Sequence, residues 1–124
     1  MERNVELLEK TMQHIKDHPE MHDQSLWVNS CGTTACFAGW ALMFNGLTAK
    51  EVSAREAADS VQGDAADALG LTTQESDVLF HSLNTRENLE RMVKALVNGE
   101  DIRHLATVSR NVRAFTSDYI EIEL

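Results

Sequence analysis

Residues 35–44 read Ala-Cys-Phe-Ala-Gly-Trp-Ala-Leu-Met-Phe, ten positions without a charge. Phe37, Trp40 and Phe44 fall on one helical face, while Ala35, Ala38, Gly39 and Leu42 make a second face of small residues. A helix apolar all round belongs at the centre of a core, and its small face lets a neighbour approach closely. The spacing predicts a central helix over about 34–45, with Thr33 or Thr34 as N-cap and Gly46 as C-terminal stop.

The flanking sequence supplies helices to cover it. Val5, Leu8, Met12 and Ile15 behind Asn4 predict a first helix of about four turns, and Pro19 disfavours helical geometry at His18. His18 to Gly32 reads as an ordered loop pinned by Trp27. Capping boxes are expected at Thr48 with Glu51, Thr72 with Glu75, and Asn84 with Glu87. The helices they open are expected to turn Ala54, Ala57, Ala58 and Val61 inward, then Val78, Leu79 and Leu83, then Leu89, Val93 and Leu96 before Gly99. A short helical turn is expected from Asp64 to Leu69. Past Asp101, Leu105, Val108, Val112 and Phe115 share one helical face, with Arg103, Arg110 and Arg113 opposite. Ile120, Ile122 and Leu124 alternate with Glu121 and Glu123, the period of a short C-terminal strand. The expectation is a single mainly α-helical domain over residues 1–124, a compact bundle of six to seven helices around the apolar one.

Composition narrows the partners. Twenty acidic residues against eleven basic ones leave a formal net charge of -9, which disfavours direct binding to DNA, RNA or an anionic membrane and favours a protein or cationic partner. No stretch approaches the roughly 20 apolar residues of a membrane span, and the opening Met-Glu-Arg-Asn-Val-Glu lacks a signal peptide's pattern. The expected compartment is the cytoplasm, where Cys31 and Cys36 are reduced thiols, and no cofactor is called for.

The densest motif is Trp27, Cys31-Gly32-Thr33-Thr34, Cys36 and Ala38-Gly39-Trp40-Ala41, followed by Leu69-Gly70-Leu71-Thr72 and Leu79-Phe80. With His18-Pro19-Glu20 and Asp23-Gln24 ahead of it, the stretch from about residue 12 to 81 resembles a family of small uncharacterised proteins of actinobacteria and their bacteriophages. That family carries a Cys-Gly-Thr-x-x-Cys-x-Ala-Gly signature behind a tryptophan. The resemblance implies a phage-associated origin and no established activity, so a phage-encoded chain would work in the host cytoplasm.

Chemistry has few candidates. Cys31, ahead of a helix N-terminus, is placed for a stabilised thiolate, whereas Cys36 inside the apolar helix is disfavoured by desolvation; the plainer reading has both packing the core. His18, His22, Cys31 and Cys36 form an alternative zinc set, opposed by the break at Pro19 and by the cysteine spacing. A phosphate loop, serine elbow or paired-carboxylate signature is not found, so an enzyme is the less favoured reading. Ala66, Gly70 and Leu71-Thr72 superficially resemble a helix-turn-helix, but its second helix carries Glu75 and Asp77 and no lysine or arginine.

Between Glu56 and Thr85 stand six acids and no lysine or arginine. Asp59, Asp64, Asp67 and Asp77 are therefore the candidate partner-binding residues, set against the plain alternative of a solvated helical face. Arg103, Arg110 and Arg113 are the candidates for an alternative function, binding a small phosphate-bearing ligand such as a nucleotide. The leading expectation is a small acidic interaction protein that binds and modulates a host protein.

Overall fold

A computed structural model describes residues 2–29 and 31–106. Six α-helices lie among them: α1 Val5–Asp17, α2 Phe37–Phe44, α3 Ala49–Ala57, α4 Val61–Leu69, α5 Thr73–Leu79 and α6 Arg86–Val97. Short 3₁₀ turns follow α1 at Pro19–Met21 and follow α6 at Arg103–Leu105. The only pairing of strand type among the described residues is an isolated parallel bridge between His22 and Ala35. The expected C-terminal strand and the stripe residues Val108, Arg110, Val112, Arg113 and Phe115 lie outside the described residues.

α1 forms where Asn4 caps it, its Oδ1 accepting from the Leu7 amide at 3.1 Å. Leu7, Leu8, Thr11, Met12 and Ile15 make its buried face. α1 lies between α6 and α2, and α2 packs most extensively on α4. Phe37, Ala38, Trp40, Ala41 and Leu42 of α2 are all buried, as the charge-free stretch requires. One hydrophobic cluster takes in residues of all six helices.

Several boundaries differ from the expected ones. α2 begins at Phe37 with Cys36 as its cap, because the Thr34 carbonyl already accepts from the Asn29 amide at 2.9 Å and Ala35 is held in the bridge to His22. The capping boxes at Thr48 and Thr72 form with Glu51 and Glu75. The last forms one residue later than expected, between Thr85 and Asn88. Asn84 is instead buried, its amide donating to the carbonyls of Val78 and Leu79 at 2.8 and 3.0 Å, which closes the end of α5.

The expected run through Ala54, Ala57, Ala58 and Val61 is two helices. Asp59 adopts φ 58, and the Ser60 amide donates back to the Arg55 carbonyl at 2.9 Å, the i→i−5 bond of a Schellman stop. Val52 is the buried residue of α3, Ala54, Ala57 and Ala58 are exposed, and Val61 opens α4. The expected short turn at Asp64–Leu69 is thus the latter part of a nine-residue helix. Leu83, expected inward, is 65% exposed.

Close packing around α2 involves the loop as well as helices. An added Cβ on Gly39 would lie 1.9 Å from the Trp27 carbonyl oxygen and 3.0 Å from Ala35 Cβ. Gln24 and Val28 are the buried anchors of that loop, and Trp27 itself is half-buried against the core.

Candidate functional site

The signature residues build a lock between loop and helix. Gly32 turns at φ +73, where a Cβ would meet Ala49 Cβ at 2.7 Å, and Thr33 Oγ1 accepts from Asn29 Nδ2 at 3.0 Å. Cys36 Sγ accepts from the Gly39 amide at 3.4 Å, and the Cys36 amide donates to Leu26 O at 2.7 Å. Burial pushes the Cys36 thiol up to about 11, more than the hydrogen bonds from Gly39 and Ala38 lower it. Cys36 is therefore a capping group in the core and a poor nucleophile at neutral pH. Cys31 is exposed and lies five positions before the cap, so Cys36 occupies the helix-dipole position that the sequence suggested for Cys31.

The zinc set does not converge. His22 Nε2 is bonded to Gln24 Oε1 at 2.8 Å, Cys36 is committed to the N-terminus of α2, and His18 Nδ1 lies 3.5 Å from Glu20. Among the described residues no three His, Cys, Asp or Glu side chains group as a metal site.

The acid block divides in two. Asp64 pairs with Arg55 at 3.1 Å, Asp77 accepts from Gln62, and Glu75 pairs with Arg3, which also donates to Leu96 O at 2.9 Å. Glu56, Asp59 and Asp67 are exposed on α3, the α3–α4 stop and α4, and their side chains have no hydrogen-bond or ionic partner among the described residues. Arg103 is occupied by Asp101, with contacts of 2.8–3.1 Å that hold the Asp101 carboxyl down to about 2. It also reaches Gln74 Oε1 at 3.4 Å. α4 and α5 are a packed helix pair joined by Gly70–Thr72, and α5 has no cationic side chain.

A second place was not singled out as a site in the sequence. An open cleft of about 580 Å³ lies between the loop after α1 and the start of α6, bordered by His22, Asp23, Thr34, Ser82 and Arg86. Its organiser is Gln24. The Gln24 Nε2 donates to Leu79 O at 3.2 Å, while Oε1 accepts from the Phe37 amide at 3.2 Å. These two backbone partners fix which end of the amide is oxygen. His22 Nε2, 2.8 Å from that oxygen, must carry the proton, which leaves Nδ1 as a lone-pair acceptor. Burial lowers the His22 pKa below its ordinary value, and the nearby Arg86 charge adds to that, so the neutral ring dominates at pH 7.

Comparison of the chain with protein-family models, with curated proteins and with solved structures finds no match.

Proposed function

We propose that this chain is a small acidic interaction protein that binds a basic surface of a partner protein through the α3–α4 face. The observation that carries it is the division of the acid block: Asp64, Glu75 and Asp77 are satisfied within the fold, whereas the exposed side chains of Glu56, Asp59 and Asp67 have no partner among the described residues. Exposed acids without a cationic side-chain partner among the described residues raise the local negative field, which favours encounter with a cationic surface. Asp59 adds to this, since a non-glycine residue held at φ 58 keeps a charge at a helix stop where glycine fits with less strain. The motif's resemblance to a phage-associated family favours a host protein as the partner, bound and modulated in the host cytoplasm.

The test is a triple variant, Glu56→Gln, Asp59→Asn and Asp67→Asn, against a partner captured from host lysate. It should keep its fold, associate more slowly and show a flatter salt dependence, while Asp64→Asn, which removes a paired acid, should change association less. Equal association rates and salt slopes for wild type and triple variant would overturn the proposal.

A further inference from the structure

The cleft beside Gln24 contains four charged or titratable groups, and two of them are already engaged. Asp23 Oδ1 accepts from the Ser25 hydroxyl at 2.6 Å and from the Ser25 amide at 3.0 Å. Glu20 faces His18 on the outer rim. His22 and Arg86 line the same space, and neither His22 Nδ1 nor the Arg86 guanidinium has a partner among the described residues. Arg86 stands at the first position of a twelve-residue helix, so the positive end of the α6 dipole adds to its charge. The cleft thus offers a fixed lone-pair acceptor near a free, fork-shaped cationic donor, within a volume ordinary for small ligands.

A ligand complementary to both must be anionic toward Arg86 and must also present a hydrogen to His22 Nδ1. A carboxylate or sulfate meets only the first demand. A phosphate group with a P–OH meets both. We infer that this cleft is a phosphate-binding site, in which Arg86 takes the anionic oxygens and the neutral His22 ring accepts the P–OH hydrogen. The phosphate is either free or the head of a small monoester. The site is independent of the α3–α4 face, so neither proposal depends on the other.

Nuclear magnetic resonance titration of the full chain at about pH 6.5, where phosphate groups retain protonated forms, tests it with inorganic phosphate, methyl phosphate and sulfate at matched ionic strength. Phosphate should give saturable shifts at the His22 ring and the first-turn amides of α6, with a dissociation constant on the order of 1 mM. Sulfate should give no saturable shift. Arg86→Gln, at an exposed position, should weaken phosphate binding at least about tenfold without unfolding the protein. Tighter binding of methyl phosphate than of phosphate would identify a monoester as the natural source, and the reverse order would identify free phosphate. Absence of saturation with both phosphates, an equal response to sulfate, or unchanged binding in the Arg86→Gln protein would each overturn the assignment.

Discussion

Substituting alanine for glycine in two helices of this protein should have opposite effects on stability. In an exposed helix interior, Gly→Ala stabilises by about 0.5–1 kcal/mol, because alanine restricts the unfolded chain and favours helical geometry. Gly63 in α4 meets that condition, with nothing within 4 Å of an added Cβ. Gly39 in α2 does not. Its added Cβ would lie 1.9 Å from Trp27 O, and real Cβ atoms essentially never come closer than 3.0 Å, so helix and loop must separate by about an ångström. The opposing atom is backbone, in a loop tied to the helix start by the 2.7 Å bond from the Cys36 amide to Leu26 O. Overpacking of this kind costs about 1–3 kcal/mol, and a strained or lost hydrogen bond adds about 1 kcal/mol. Against a propensity gain near 1 kcal/mol, the net for Gly39→Ala is a loss of about 1–3 kcal/mol. Urea denaturation followed by far-ultraviolet circular dichroism measures both variants, and the slope m should stay constant. A Gly39→Ala protein as stable as the wild type would refute the close approach of loop and helix, and with it the role assigned to the signature.

Four further outcomes are expected. Asp59→Gly should raise stability by about 0.5–1 kcal/mol by relieving the left-handed backbone, while removing one of the three unpaired acids; a lower denaturation midpoint would contradict the stop at Asp59. Trp40→Ala should cost about 3–5 kcal/mol, since the ring is buried, packs at a tilt against His14 with centroids 4.2 Å apart and donates to Met21 O at 2.9 Å; a loss under about 1 kcal/mol would place α2 at the periphery. His14 and His22 both have pKa values lowered, chiefly by burial, so the unfolded chain takes up protons first and stability should fall as pH drops from about 6.5 toward 5. That decline should shrink in His14→Phe, and a flat profile between pH 7 and 5 in the wild type would count against partly buried neutral histidines. Iodoacetamide at pH 8 should modify exposed Cys31 and reach Cys36 only after denaturant is added, as peptide mass mapping would show.

The α-helical class and most of its elements were legible because they rest on local chemistry. Asn4, Thr48 and Thr72 cap where their spacing to the helix requires, and the charge-free residues 37–42 are buried throughout. The elements that differ depend on competition among polar groups for the same few backbone partners. Thr33 and Thr34 look like caps until Asn29 claims the hydroxyl of the first and the carbonyl of the second, and Asn84 looks like one until it turns inward to the carbonyls at the end of α5. The break between α3 and α4 was hidden because its left-handed residue is an aspartate rather than a glycine. Of the candidate acids, sequence shows the charges but not that Arg55, Gln62 and Arg3 reach three of the block. The cleft escaped notice because His22, Gln24 and Arg86 meet only through tertiary packing.

The pairing of the first helix with the last described one also bears on how the chain reaches its native state. α1 finds its seat only when α6 arrives: Lys16 meets Glu90 at 2.8 Å, and Arg3 donates to the carbonyl of Leu96, 93 residues further on. The Asn4 amide donates to Leu69 O, so the start of α1 is also held by the end of α4. Such contacts raise the contact order of an otherwise locally wired helical fold and slow its closure relative to a simple up-and-down bundle. On the ribosome, the apolar face formed by Leu7, Leu8, Met12 and Ile15 emerges before α6 and lacks that partner until the later helix has left the exit tunnel. During that interval the nascent chain presents a sticky amphipathic helix, an exposed target for chaperones or for a neighbouring nascent copy.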